Sequence, residues 1–184
     1  MIKIPKFFHE LLGEYQTKSS LVVIGVFVLI SSFLMAVLGY DQWKELLFIK
    51  QLVTWLLFLD ISGGVLANLT KGTDLYYNDN HWRRWVFIAI HVQPIILSWA
   101  MDISLHYGMI IYVYTLVCAI FLNLIRNYHF HSLTAGGLTS LGLLIVAYFG
   151  QTVPFFALTL FTFYVFKVLF SFSVFHHRSK SCTH

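Results

Sequence analysis

The chain has 184 residues, of which 58% are hydrophobic and 11% are charged, and its formal net charge is +4. A soluble domain holds about 45–50% apolar and about 25% charged residues, so this composition excludes an ordinary water-soluble globule. The mean hydropathy of +0.75 indicates a protein whose solvent is the lipid bilayer. The positive charges are arranged as membrane orientation requires, so no nucleic acid partner is expected. Two cysteines give no disulfide framework.

The first predicted element is a short helix within residues 1–19. Its apolar side chains recur at helical spacing, at Phe7, Phe8, Leu11, Leu12 and Tyr15. Charged residues lie off that stripe, at Lys6, Glu10 and Glu14. An amphipathic segment of this kind is typical of a helix that lies in the membrane interface. We therefore predict an N-terminal interfacial helix before the first span.

Six segments are predicted to cross the membrane, because each holds close to the roughly 20 mostly apolar residues that a spanning helix needs. Their bounds are 20–40, 46–68, 85–102, 108–125, 133–150 and 153–175. The third and fifth are short, and Pro94 frees the carbonyl of Ile90 in the third, so a bend is expected there. Residues 176–184 form a cytoplasmic tail. The predicted fold class is an all-α polytopic membrane protein with a single domain over 1–184.

Lysine and arginine side chains are concentrated on one side of the predicted spans. If the N-terminus is cytoplasmic, nine of them face the cytoplasm and only Lys44 lies in the opposite loops. The nine are Lys3, Lys6, Lys18, Lys71, Arg83, Arg84, Arg126, Arg178 and Lys180. An excess of positive charge in cytoplasmic loops is the general rule for such proteins. The predicted location is the cell membrane, with both termini in the cytoplasm.

Three ionisable side chains fall inside predicted spans, namely Asp60, His91 and Lys167. At a rise of about 1.5 Å per residue, all three lie roughly 10–12 Å from the cytoplasmic boundary. A charge at such depth costs roughly 2.5–3.5 kcal/mol on insertion scales, so these residues are expected to face the bundle interior and find partners. We predict that Asp60 and Lys167 form an ion pair, with His91 nearby. Such a pair can belong to a site, or it can serve only to hold helices in register.

Small and polar residues follow Asp60 along one face of the second span. They are Gly63, Gly64, Ala67, Asn68 and Lys71. A similar strip in the fifth span comprises Ser132, Ala135, Gly136, Thr139 and Ser140. Such strips let helices approach closely or leave space for a ligand, and close packing is the commoner outcome. In a continuous third span Gln93 points about 200° away from His91, so the two are not expected to line one cavity.

The predicted cytoplasmic connections carry groups that suit anions. The arginine forks of Arg83, Arg84 and Arg126 fit phosphate or carboxylate, and anionic lipid headgroups are the general alternative. Together with the intramembrane residues they predict one polar pocket on the cytoplasmic side. Its members are Asp60, Gly64, Asn68, Arg83, Arg84, His91, Asn123, Arg126 and Lys167.

Metal binding has a weaker signal. His129 and His131 form a His-x-His pair, which is a weak candidate for two metal ligands, with Asp74 or Asp79 as a third. The tail adds His176, His177, Cys182 and His184. No motif of a nucleotide-binding loop, zinc protease or nucleophile elbow occurs, and the sequence identifies no cofactor.

Three classes of function remain open. The best interpretation is a small polytopic membrane protein that binds or transports a small or anionic ligand. The first alternative is a membrane-embedded enzyme for a lipid-linked or anionic substrate, with Asp60 or His91 as acid or base. The second is a noncatalytic support or regulatory protein. The partners predicted are the lipid bilayer, an anionic lipid or small molecule, and a second copy in a homo-oligomer.

Overall fold

The computed structural model of the chain describes residues 1–78 and 81–174. Within these ranges the fold is nearly all-α, and five helices are long and apolar enough to cross a membrane. This agrees with the predicted class of multi-pass membrane protein. The tail predicted over 176–184 lies outside the described residues.

The helices follow one another with short connections. They are α1 (His9–Leu12), α2 (Lys18–Leu38), α3 (Tyr40–Trp43), α4 (Phe48–Ala67), α5 (Lys71–Asn78), α6 (His81–Ile90), α7 (Gln93–Ala100), α8 (Leu105–Leu124), α9 (His131–Tyr148) and α10 (Phe155–Val165). Short 3-10 helices cover Lys6–Phe8 and Phe149–Gln151, and a π-helix over Phe166–Phe172 continues α10. The five span-length helices are α2, α4, α8, α9 with its 3-10 turn, and α10 with the π-helix.

The N-terminal segment is less helical than its apolar spacing predicts. Strands β1 (Ile2–Lys3) and β2 (Tyr15–Gln16) pair in antiparallel fashion, and only the four residues of α1 between them are α-helical. The helix ends at Gly13, whose φ of +70° is a conformation that glycine adopts without a steric cost. A Cβ at Gly13 would overlap the carbonyl of Gly72, so the segment lies tightly against the start of α5.

The third predicted span is not one helix. Helix α6 ends at Ile90 and α7 begins at Gln93, with Pro94 in its first turn, where a missing N–H costs nothing. The expected bend is therefore a complete break. The carbonyl of Ile90, which was expected to be free, accepts from the N–H of Val92 at 2.8 Å. The carbonyl of His91 is the one that gains a distant donor, the Tyr164 hydroxyl, at 2.7 Å.

Helix α10 with its π-helix forms the centre of the bundle. Of its 18 residues, 61% are buried, against 11% of the most apolar 18-residue stretch of α2. Phe156, Leu160, Phe161 and Val165 have no exposed surface, because α4, α8 and α9 pack around them. Helix α2, by contrast, presents most of its side chains outward, as a helix in contact with lipid does.

Long-range polar contacts hold the segments together at each of the two ends of the bundle. At the end that holds the N-terminus, the Gln16 amide donates to Thr70 Oγ1 at 2.6 Å and Glu10 accepts from tyrosine hydroxyls of α5. At the other end the contacts are the ion pair of Lys50 with Asp102, Tyr107 Oη to Thr152 Oγ1 at 2.9 Å, and the Phe156 N–H to Gln42 Oε1 at 2.8 Å. Asp102 therefore lies beside the beginning of α4, whereas Arg83, near the beginning of α6, contacts Tyr76 in α5, which follows the end of α4.

Gly108 sets how closely α8 approaches α7, and this gives a first prediction. A Cβ there would overlap the carbonyl oxygen of Pro94, whereas a Cβ at Gly25 in α2 would meet nothing within 4 Å. Gly108→Ala should lower the free energy of unfolding by about 1–3 kcal/mol through overpacking. Gly25→Ala, the matched control, should raise it by about 0.5–1 kcal/mol because alanine favours the helix. Denaturant titration in detergent micelles, followed by circular dichroism, measures both, and equal effects would contradict the assigned packing.

Candidate functional site

A cavity of about 590 Å³ lies between the N-terminal segment, α4, the α6–α7 break and the π-helix. We call it the α4 cavity. Its apolar wall comprises Phe7, Phe8, Leu11, Leu56, Leu59, Phe87 and Ile90. Its polar wall comprises Glu10, Asp60, Asn68, Tyr77, His91, Gln93 and Lys167. Four of the residues predicted for the polar pocket, Asp60, Asn68, His91 and Lys167, thus share one cavity.

The predicted ion pair is present. Lys167 Nζ lies 2.9 Å from Asp60 Oδ2, and the side-chain amide of Gln93 donates to the same oxygen. The lysine side chain is only 2% exposed, while that of Asp60 is 42% exposed. Within residues 1–78 and 81–174, nothing donates a hydrogen bond to Asp60 Oδ1. The carboxylate is therefore held by one oxygen and offers the other.

Gln93 corrects the sequence-based expectation. It lines the same cavity as His91, although a continuous helix would point the two in different directions. The reason is the break at His91–Val92, which resets the helical phase before α7 begins. The side chain of Gln93 can therefore reach α4.

Gly64 makes room for the Lys167 side chain because it has no Cβ. A Cβ at this position would overlap Lys167 Cε and lie 2.9 Å from Nζ, so the glycine leaves the path along which the lysine reaches Asp60. The lysine itself belongs to a π-helix, a geometry that is rare and frequently found at functional sites. The glycine face of α4 thus serves helix packing and the ion pair together.

His91 is buried at the break. Its Nδ1 donates to the carbonyl of Phe87, which can only accept, so Nε2 is the acceptor nitrogen of the neutral ring. The imidazole lies against the Phe87 ring with a centroid distance of 3.7 Å. The residue is therefore held at its ring by the carbonyl of Phe87 and at its own carbonyl by the Tyr164 hydroxyl.

Two amide atoms in the cavity wall have no partner among the described residues. They are Asn68 Nδ2 and Gln93 Oε1, and Asn68 is only 2% exposed. Buried polar atoms are almost always hydrogen-bonded, so these two amide atoms are exceptions within the described residues. Asn68 was predicted as a pocket residue, whereas Gln93 was not.

Glu10 joins the N-terminal segment to the cavity wall. Its Oε1 accepts from the Tyr76 hydroxyl at 2.8 Å, and the Tyr77 hydroxyl lies 2.7 Å from its backbone oxygen and 3.1 Å from Oε2. Burial of the phenol, followed by the hydrogen bond to Glu10, raises the pKa of Tyr76 to about 12. Burial and the charge of Glu10 also raise the pKa of Tyr77. Both hydroxyls therefore remain donors at neutral pH.

Glu10 and Tyr77 line the cavity although neither was predicted as a pocket residue. Glu10 was predicted only to lie off the apolar stripe of an interfacial helix. The adjacent tyrosines of "DLYYN" were the available signal, since buried phenols need a partner for each hydroxyl.

The arginines form a separate group. Arg84 is 2% exposed, donates from Nε to Asn123 Oδ1 at 3.0 Å, and lies over the Phe172 ring. Arg83 covers the Tyr76 ring and donates to the carbonyl of that residue at 3.2 Å. Within the described part of the chain, the α4 cavity is lined by none of Arg83, Arg84, Asn123 and Arg126. The residues predicted as one pocket therefore do not all line one cavity.

The histidines proposed as metal ligands do not share an environment. His129 is exposed and His131 is buried at the beginning of α9. Among residues 1–78 and 81–174, no three His, Cys, Asp or Glu side chains come together as a metal site would need. Asp79 and the tail residues His176, His177, Cys182 and His184 lie outside the described residues.

The ion pair can be tested with a double-mutant cycle. Asp60→Asn leaves the buried Lys167 charge without its partner, and the free energy of unfolding should fall by on the order of 3 kcal/mol. Adding Lys167→Met should recover part of that loss, since no buried charge then remains unpaired. The same two changes in the exposed pair Asp41–Lys44 should show no measurable coupling. Strictly additive losses at Asp60 and Lys167 would contradict a stabilising pair.

The two walls of the α4 cavity differ in chemistry. One holds the Asp60 carboxylate and the side-chain amides of Asn68 and Gln93, and the other is apolar and aromatic. Sites for small molecules combine apolar walls with a few fixed polar groups in this way. The chain matches no family model, and no match was found among the curated proteins or the solved structures.

Proposed function

We propose that this multi-pass membrane protein binds or transports a small molecule with polar and apolar parts, which it holds in the α4 cavity. The observation that carries the proposal is Asn68, a residue of the lining whose buried Nδ2 has no partner among the described residues, in a cavity that also holds an intramembrane ion pair. The volume of about 590 Å³ is within the range of small-molecule sites.

A purely structural ion pair accounts for less of the geometry. A pair that only held helices in register would gain most from burying and satisfying both partners. Here Lys167 is buried, but Asp60 keeps an exposed oxygen, and the amides beside it keep unused hydrogen-bonding capacity. Ionisable residues inside membrane proteins commonly mark ligand or ion pathways, which supports the functional interpretation.

Transport is favoured by the broken helix in the cavity wall. Discontinuous helices form the substrate and ion sites of many transporters, and the α6–α7 break places His91 and Gln93 in the α4 cavity. The enzyme alternative needs groups that hold an anionic substrate, and the arginines predicted for that role lie outside the cavity lining. Binding or transport is therefore the function that the geometry supports best.

We also propose that α6 and α7 together make a sixth, interrupted crossing. Near the beginning of α6, Arg83 donates to the carbonyl of Tyr76 in α5, the helix that follows α4, whereas Asp102, just after α7, pairs with Lys50 at the beginning of α4. The two short helices therefore join opposite ends of the bundle. With six crossings both termini share one side, and the nine lysines and arginines assign that side to the cytoplasm of the cell membrane. The N-terminal segment would lie in the cytoplasmic interface.

Ligand retention gives a direct test of the cavity. Native mass spectrometry of the wild-type protein, released from lipid nanodiscs, should record a stoichiometric added mass of a small molecule. The double variant Asp60→Asn with Lys167→Met removes both charges without leaving one unpaired, and it should lose that mass. The matched control makes the same changes in the exposed pair Asp41–Lys44 and should keep it.

The control separates loss of the ligand from loss of the fold. A wild-type protein that carries no added mass, or equal retention in all three proteins, would contradict the proposed site. Equal loss in the two double variants would mean that the charge changes act on the fold and not on the cavity.

The sixth crossing can be tested by thiol accessibility. In a variant lacking Cys118 and Cys182, single cysteines replace Ser19 and Ser104, which are both exposed. A membrane-impermeant maleimide should label the Ser104→Cys protein in intact cells and the Ser19→Cys protein only after permeabilisation. The reverse pattern would contradict the orientation, and identical behaviour at both positions would contradict the crossing.

A further inference from the structure

We infer that the molecule held in the α4 cavity is an amphipathic organic cation, an amine or ammonium compound with an apolar part. This inference rests on the proposed function, since it names the class of ligand for the same cavity. It depends on three independent properties of the lining, namely its charge, its hydrogen-bonding atoms and its aromatic rings.

The charge of the lining is negative. It contains two carboxylates, Glu10 and Asp60, and one ammonium group, Lys167. The ammonium is already engaged, because Lys167 Nζ contacts Asp60 Oδ2 and is buried behind it. Arg83 covers the Tyr76 ring and does not line the cavity. A bound cation would therefore restore neutrality, whereas a bound anion would add a like charge at low dielectric, which is costly.

The hydrogen-bonding atoms of the lining are mostly acceptors. Within the described residues, the side-chain donors of Gln93 and Lys167 both reach Asp60 Oδ2 and nothing donates to Oδ1, and Gln93 Oε1 has no donor either. Each Glu10 carboxylate oxygen accepts from one tyrosine hydroxyl and keeps a second lone pair. Among the described lining residues, the donor without a partner is Asn68 Nδ2, which is itself buried. An ammonium group supplies several N–H donors to such a set, whereas a carboxylate or phosphate supplies none.

Aromatic rings also line the cavity. Phe7 and Phe8 are 87% and 45% exposed, whereas the Phe87 ring lies against both His91 and Phe172 at centroid distances of 3.7 Å. Exposed rings such as Phe7 and Phe8 attract organic cations through their faces, and they also accept an apolar chain. Carboxylates and aromatic rings in one cavity are thus matched to the two parts of an amphipathic amine.

The charge preference of the cavity can be measured by the rates of thiol modification. In the background without Cys118 and Cys182, Leu11→Cys places a thiol in the cavity, and Ser19→Cys gives an exposed reference on the same side. Three methanethiosulfonates are compared: the trimethylammonium-ethyl reagent, the sulfonatoethyl reagent and the neutral methyl reagent. The cation-to-anion rate ratio at Leu11→Cys, divided by that at Ser19→Cys, should be about 10 or more, as expected for a cleft of one charge sign.

Charge variants decide whether the lining carboxylates cause this preference. Glu10→Gln should bring the normalised ratio down towards 1, because it leaves one carboxylate and one ammonium group. Lys167→Met should raise it, because it removes the ammonium and keeps both carboxylates. Loss of local structure would change the modification rates of all three reagents in the same direction. Opposite shifts of the ratio in the two variants are therefore specific to charge. Leu59→Cys, a second lining position, repeats the measurement if Leu11→Cys fails to fold.

The outcomes separate this inference from the proposed function. If even the neutral reagent fails to label cavity thiols, the cavity does not admit small molecules and the proposed function itself is wrong. If the neutral reagent labels them but the normalised ratio is 1 or below, the cavity admits small molecules and the cationic class is overturned. A raised ratio that is unchanged in the Glu10→Gln and Lys167→Met variants also overturns it, because the charge preference then arises from other residues.

Discussion

One carboxylate oxygen relates three segments of the bundle to one another. Asp60 Oδ2 receives Lys167 from the π-helix and Gln93 from α7, while the residue itself belongs to α4. An unpaired charge at this depth would be expensive, so helix packing, the glycine at position 64 and the phase of α7 must all accommodate this contact. The ion pair is thus a constraint on the architecture as much as a feature of the site.

The break between α6 and α7 leaves backbone groups that a continuous helix would satisfy. Backbone groups freed inside a membrane need partners from the protein or from a water-filled cavity. The carbonyl of His91 finds the Tyr164 hydroxyl on the central helix α10, and the carbonyl of Phe87 accepts from the His91 ring. With these carbonyls hydrogen-bonded, the break can lie beside the α4 cavity. It brings Gln93 to Asp60, which an unbroken helix would not do.

The sequence predicted the depth of the polar groups better than their directions. Counting residues from the span ends placed Asp60 and Lys167 at one level, and the structure pairs them. The same count cannot give the angle around the bundle axis, so Arg84 and Asn123 were assigned to the same pocket although they pair away from the cavity. Gln93 was excluded because periodicity assumes a continuous helix. Glu10 was missed because its contact with α5 joins positions that are distant in the chain, which local patterns do not report.

The apolar rim of the cavity bears on how a ligand would arrive. Leu56, Leu59 and Ile90 line the α4 cavity, yet they are 57%, 44% and 57% exposed. In a bundle that crosses a bilayer, exposed leucine and isoleucine side chains on such helices face lipid chains, because water at that depth would leave them unfavourably hydrated. An opening bounded by these residues is reached from the membrane at least as readily as from water. An amphipathic cation concentrates at the membrane interface before binding, with its charge near the headgroups and its apolar part among the chains. The negative lining would then compete with anionic headgroups for that charge, while the apolar wall receives the remainder of the molecule without exposing it to water.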